Sequence, residues 1–267
     1  MQRQASQLFD RSTKRAFVCD LDGTLFMGNR PIAPAVRFVV EHEAEYAFYY
    51  LTNNTSKTPD AYLDKLSGAG IVTDAAHILT PLITLEAYIR EKAYSSVYLV
   101  ANRTVEQHLC ERMSEVRFGY APGENQLVAL TYDTELTYEK LRRAAVLLNA
   151  ASGVDFVTTH GDACCPSEEG PVPDVGGMIA LLRTTNGREP SHIFGKPSPS
   201  LLAPVLARFT PGEIAVVGDR LYTDKAMADH AAVDFVCVLS GETTRESLAA
   251  YCGTPPAVVL GTLGDLA

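Results

Sequence analysis

The chain has 267 residues, enough for one large domain or two small ones, and 46% of them are hydrophobic, ample for packed cores. With 32 acidic against 23 basic side chains the net charge is −9, which argues against a nucleic-acid surface while leaving room for a small anionic substrate at a locally basic spot. Cys19, Cys110, Cys164, Cys165, Cys237 and Cys252 show no zinc pattern of paired Cys-x-x-Cys, which points to reduced thiols in a cytoplasmic protein, and no apolar stretch is long enough for a membrane span.

Residues 1–15 are polar and mixed in charge, lack the apolar segment of a signal peptide, and read as a frayed arm or a short leading helix. Ala16–Cys19 is an apolar run of the kind found in a buried parallel strand. It delivers Asp20 and then Asp22 at its carboxyl end, and Gly23 follows where a tight turn must avoid a Cβ clash. Two carboxylates thrown off one strand tip repel each other and lose hydration when buried, so they need a cation or a shared proton to persist. Met27 to Pro34 is loop, punctuated by Gly28, Pro31 and Pro34. Val36, Val39 and Val40 give Pro34–Glu43 a helical period. Ala47–Leu51 is a second strand, stopping at Thr52-Asn53-Asn54-Thr55. Asp60–Ala69 is a helix between Pro59 and Gly70, and Thr80–Lys92 another, with Leu82, Leu85 and Ile89 on one face.

A fresh alternation begins after Lys92. Val97–Val100, Leu127–Tyr132 and Phe156–Thr159 read as strands. Thr104–Met113, Thr137–Ala150 (with Thr137 as N-cap) and Gly177–Arg183 read as helices. Beyond Pro190 come Ile193-Phe194, then Gly195-Lys196-Pro197, a helix over Pro199–Phe209, a strand over Ile214–Val217 ending at Gly218-Asp219, a helix over Asp224–Ala232, a strand over Phe235–Leu239, a helix over Arg245–Tyr251 and a last strand over Val258–Leu260. Two β/α sets in one chain predict an α/β core with a parallel sheet, residues 1–80 plus 188–267, interrupted by an α/β insert over 81–187.

In an open parallel sheet, ligands bind beyond the carboxyl ends of the strands. Four tips here carry polar chemistry: Asp20/Asp22, Thr52-Asn53, Lys196 and Asp219. Carboxylates suit a hard divalent cation, and a lysine with a hydroxyl suits a phosphoryl group. Singly, Thr52 and Asn53 read as turn formers, Lys196 as a loop lysine, and Asp219 and Asp224 as helix caps. In their order after apolar strands they resemble the four signatures of the haloacid dehalogenase superfamily. Those are Asp20-Leu-Asp-Gly-Thr, Thr52 in Leu-Thr-Asn-Asn54, Lys196 in Gly-Lys-Pro197, and Gly218-Asp219 with Asp224. The longer stretches Asp20-Leu-Asp-Gly-Thr-Leu-Phe-Met-Gly28, Leu136-Thr-Tyr-Glu-Lys-Leu141 and Gly195-Lys-Pro-Ser-Pro199 resemble its type IIA, or NagD-like, branch.

The resemblance implies a Rossmann-like core with an inserted cap domain, and a Mg²⁺-dependent phosphatase acting on a small phosphorylated metabolite. It implies Asp20 as nucleophile, Asp22 as general acid and base, and Thr52, Asn53 and Lys196 as phosphate ligands, together with the backbone N–H groups near Leu21 and Asn53. The Asp20 carboxylate, the Asp22 carbonyl and Asp219 would hold the cation with support from Asp224. His160 and Asp162, on the cap, would read the leaving group. The resemblance allows a homodimer through the cap and places hinges near residues 80–82 and 186–190. A phosphotransferase would use the same intermediate. A receiver-like signalling module would be shorter and lack the acid at Asp22, and no Gly-x-Gly-x-x-Gly follows the first strand to suggest a dinucleotide enzyme.

Overall fold

The computed structural model describes residues 9–150, 153–165 and 170–266, so most of the leading arm expected over 1–15 lies outside the described residues. Arg11–Thr13 forms a single 3₁₀ turn. The chain divides into two compact units: Met1–Thr52 with Asp60–Leu79 and Lys196–Ala267, and Asn53–Pro59 with Thr80–Gly195. No helix among the described residues is long and apolar enough to cross a membrane.

The first unit is built on a six-stranded parallel sheet. Its strands run Val258–Leu260, Asp234–Val238, Ile214–Gly218, Ala16–Asp20, Ala47–Leu51 and Ile78–Leu79 from edge to edge. Ala16–Asp20 lies in the interior of this order and is buried at every residue. Its alternate side chains feed two cores, as the two-residue period of a strand requires. Phe17 and Cys19 join one, where Phe17 meets Phe38, Tyr46 and Phe48 ring to ring. Ala16 and Val18 join the other, with Leu202, Val205 and Met227. A strand covered on both faces has no room for polar residues until its tip, so the first carboxylate appears at Asp20.

The second unit repeats the scheme with a five-stranded parallel sheet ordered His192–Ile193, Asp155–Thr158, Leu127–Leu130, Ser96–Val100 and Arg117–Phe118. Helices Pro81–Glu91 and Arg103–Arg112 cover one face, and Tyr138–Ala150 and Val175–Asn186 the other.

Several elements differ from the sequence reading. The expected loop after Met27 holds a two-residue hairpin, Phe26–Met27 against Arg30–Pro31, turning at Gly28. The expected helix Asp224–Ala232 is a π-helical turn, Leu221–Lys225, followed by Ala226–His230. Ile193 does not open the second half of the core but pairs with Thr158 in the other sheet. The segment before it is pinned there as well: Arg188 donates to Leu148 O at 2.9 Å and Val154 O at 2.8 Å, and Ser191 N to Phe156 O at 2.7 Å. The chain therefore passes between units at 195–196, not near 186–190, and residues 53–59 count with the second unit.

Candidate active site

Strand Ala16–Asp20 ends with Asp20 almost fully buried, and strand Ile214–Gly218 ends one residue before Asp219. Immediately after that, the π-helical turn closes with Lys225 N donating to Arg220 O at 3.1 Å. This wider turn brings Asp224 back beneath the strand end, where its Oδ2 accepts from Arg220 N at 3.1 Å. Such turns recur at functional sites because they redirect a side chain without ending the helix. Three glycines make the approach sterically feasible. A Cβ on Gly218 would lie 2.5 Å from the Asp224 Cγ, and one on Gly23 or Gly241 would lie 2.3 or 2.0 Å from Asp219 Oδ2. Gly23 also has φ +94°, a conformation that L side chains rarely adopt.

Asp20, Asp219 and Asp224, all buried, bring carboxylate oxygens within 4.8 Å of one another. Lys196 Nζ enters this cluster, 2.5 Å from Asp20 Oδ1 and 2.7 Å from Asp224 Oδ1. Asp219 Oδ2 accepts from Glu242 N at 2.6 Å, but its Oδ1 is buried with no hydrogen-bond partner among the described residues. Burial pushes the Asp20 carboxyl well up despite the Lys196 ammonium, and Asp224 and Asp219 push it further. Burial, then the Asp224 charge, lifts the Asp219 carboxyl to about 6. Lys196 moves up: burial lowers it, and Asp20 and Asp224 more than offset that. The ammonium is thus secured, and the three acids beside it outnumber it in a buried site. A hard cation with oxygen ligands fits that surplus, and the partnerless Asp219 oxygen is a ready donor.

Thr52 is buried at the tip of Ala47–Leu51, its N–H donating to Leu79 O at 3.0 Å. The Leu21 N–H, expected to face phosphate, is spent on Leu51 O at 3.1 Å, whereas the Asp22 N–H bonds no described residue. Asp22 itself is 43% exposed and meets Lys65, from helix Pro59–Gly68, at 3.2 Å. Sequence reasoning missed Lys65, since nothing in a helical lysine announces a partner 43 residues away.

Asn53 lies in the second unit together with His160 and Asp162. Its Nδ2 donates to Asp162 Oδ2 at 3.0 Å. His160 is fully buried, with Nδ1 3.5 Å from Asp162 Oδ2 and Nε2 3.6 Å from Asp174 Oδ1, and neither nitrogen makes a hydrogen bond to a described residue. Asp174 was not singled out from the sequence. It caps helix Val175–Asn186 by accepting from Val175 N at 2.7 Å. An Asp before a Val-Gly-Gly-Met run was the available signal. Gly176 lets that helix start against the loop: its N–H donates to Asp162 O at 2.8 Å, and a Cβ there would sit 2.6 Å from Gly161 O.

Comparison with known proteins bears on the family and the fold. Residues 17–114 match a sequence model described as haloacid dehalogenase-like hydrolase, and residues 193–266 a second, HAD-hydrolase-like one. An acid sugar phosphatase of Staphylococcus haemolyticus is 30% identical over 239 residues, 88% of either chain. The crystal structure of 4-nitrophenylphosphatase from Thermotoga maritima superposes with a TM-score of 0.85 at 32% identity, covering 95% of this chain and 96% of that one. A solved putative NagD protein gives 0.79 at 31% identity, covering 92% and 96%.

Proposed function

This chain belongs to the haloacid dehalogenase-like hydrolases, in their type IIA, NagD-like branch, and hydrolyses phosphoric monoesters; on that premise we propose that it does so through an aspartyl-phosphate on Asp20, with Mg²⁺, on a small metabolite such as a sugar phosphate, nucleoside monophosphate or glycerol phosphate. The observation that carries this reading is the buried meeting of Asp20, Lys196, Asp219 and Asp224.

Asp20, Asp219 and the Asp22 carbonyl would hold the ion, with Asp224 behind them. Bound Mg²⁺ supplies the positive charge that lets an anionic nucleophile meet an anionic phosphate. Asp20 attacks phosphorus in line as the bond to the leaving oxygen breaks. The Lys196 ammonium, the Thr52 hydroxyl and the N–H groups of Asp22 and Asn53 take up charge on the equatorial oxygens. Asp22 gives its proton to the departing oxygen, so the alcohol leaves neutral. It then takes a proton from the water that attacks the aspartyl-phosphate, and inorganic phosphate and the free Asp20 carboxylate result. His160 and Asp162 are proposed to select the leaving group. With the side-chain amide of Asn53 committed to Asp162, only its backbone is assigned to phosphate.

The test is a panel of phosphate monoesters with Mg²⁺, read as released phosphate for the wild type and Asp20→Asn. The variant is expected to lose at least about 10⁴-fold in kcat, as removal of a nucleophile does, with its melting temperature maintained. Full turnover by a folded Asp20→Asn protein would contradict the assignment.

A further inference from the structure

Lys65 is used by no step above, yet it is not a solvated surface lysine. It stands near the end of helix Pro59–Gly68 with its side chain only 14% exposed. Its ammonium is 3.2 Å from Asp22 Oδ1 and 4.4 Å from the centre of the Phe26 ring, a cation-on-ring contact. Phe26 is itself buried and tied to the turn that carries Asp22, since Gly23 N donates to Phe26 O at 2.7 Å and Phe26 N to Leu21 O at 2.8 Å. One long side chain therefore braces both the turn and the acid it presents. Asp22 Oδ2 makes no hydrogen bond to a described residue.

We propose that Lys65 is a positioning residue for Asp22, anchoring Oδ1 so that Oδ2 is the oxygen that passes the proton. This deepens the function proposed above and rests on Asp22 serving there as acid and base. A half-exposed aspartate on a turn can rotate into water, and a proton-transfer group must be within hydrogen-bond reach of the atom it serves. Holding one oxygen with an ammonium, itself fixed by a ring and by packing, restricts that rotation without occupying the second oxygen. The proton given to the leaving group comes off Oδ2, and the proton taken from water returns to it.

A positioning role for an acid makes a prediction that a packing role does not. An alkoxide leaves poorly without a proton, whereas a nitrophenolate leaves without one. The value of kcat/KM reports the steps up to release of the first product. Lys65→Met, which keeps the stem over Phe26 and removes the charge, is therefore expected to lower kcat/KM for glycerol phosphate about ten- to a hundredfold. For p-nitrophenyl phosphate the expected fall is less than about threefold, and Lys65→Arg should restore most of the loss. Melting curves of both variants, and Asp22→Asn assayed beside them, complete the experiment. Equal losses on the two esters, or none, would overturn the proposal, as would a loss that follows melting temperature and is not rescued by arginine. An Asp22→Asn enzyme that still turns over glycerol phosphate fully would overturn the reading of Asp22 itself. An inactive Asp22→Asn beside an unselective Lys65→Met would sink only the role given to Lys65.

Discussion

The two sheets of this protein share a parallel architecture and differ in what their strand tips do with polarity. In the first unit, three buried acids meet one lysine. In the second, the tips settle their polarity locally. Asp133 pairs with Lys140 at 2.7 Å, one charge to one charge. Asn102 donates to Ser56 O at 2.8 Å, Tyr132 N to Thr55 Oγ1 at 2.9 Å, and the Thr55 and Thr159 hydroxyls lie 2.9 Å apart. These bonds hold residues 55–56 to the second sheet, which accounts for their place in that unit. His160 and Thr158 are exceptions: among the described residues neither ring nitrogen of His160 nor the hydroxyl of Thr158 finds a hydrogen bond. A sheet whose tips are mutually satisfied is a scaffold. A sheet whose tips carry surplus buried charge has stability in reserve for whatever neutralises it.

The largest effect should follow from deepening the imbalance. Lys196→Met removes the ammonium from a cluster in which its side chain is 4% exposed. Breaking one side of a buried ion pair costs about 3–5 kcal/mol, because the remaining charge is left uncompensated. Loss of a fixed cation at the transferring phosphoryl group should also lower kcat by about a hundredfold or more. Chemical denaturation and phosphate release measure the two effects. A variant as stable and as active as the wild type would mean that the surplus charge is compensated elsewhere.

Next in size is the response to pH. With its carboxyl raised from 3.8 to about 6, Asp219 binds its proton more tightly folded than unfolded. Between those values the folded state holds more protons, so without metal the protein loses stability as pH rises through that window, and the deficit persists above it. For this one group it amounts to about 3 kcal/mol. A cation that takes the place of the proton reverses the loss. Added Mg²⁺ should therefore raise the melting temperature more at about pH 7.5 than at about pH 5, relative to chelator. An equal shift at both would place metal binding elsewhere.

The contrast between the sheets was only partly visible in the sequence. Unbroken apolar runs such as Ala16–Cys19 and Ile214–Val217 fix a doubly buried strand, and the first acid after each run marks its tip. Period and order thus located Asp20 and Asp219. Asp224 was legible as a residue but not as a geometry: nothing in Leu-Tyr-Thr-Asp-Lys distinguishes a π-helical turn from an α-helical one, because the two differ in which carbonyl an N–H reaches and not in side-chain pattern. Ile193 was given to the wrong sheet because a two-residue strand has no period, and its partner is chosen by the anchoring of Arg188 and Ser191 upstream. Lys65 and Asp174 act through partners that only tertiary packing brings near.

The smallest effect should come from the satisfied sheet, and its character matters more than its size. Thr55 is buried, and its hydroxyl accepts from Tyr132 N. Thr159 Oγ1 already donates to Leu130 O at 3.3 Å, so the Thr55 hydroxyl is the donor between the two side chains. Thr55→Val keeps the shape, removes both bonds and strands the Tyr132 N–H, at about 1–3 kcal/mol. No proton or ion is exchanged in that loss. It should therefore be the same at about pH 5 and about pH 7.5, and the same with Mg²⁺ or chelator, when followed by denaturant unfolding. Thr55→Ser, which keeps the hydroxyl, should recover most of it. A Thr55→Val penalty that grew with pH or shrank with Mg²⁺ would show that the segment 55–56 answers to the charged cluster and not to hydrogen bonding in its own sheet.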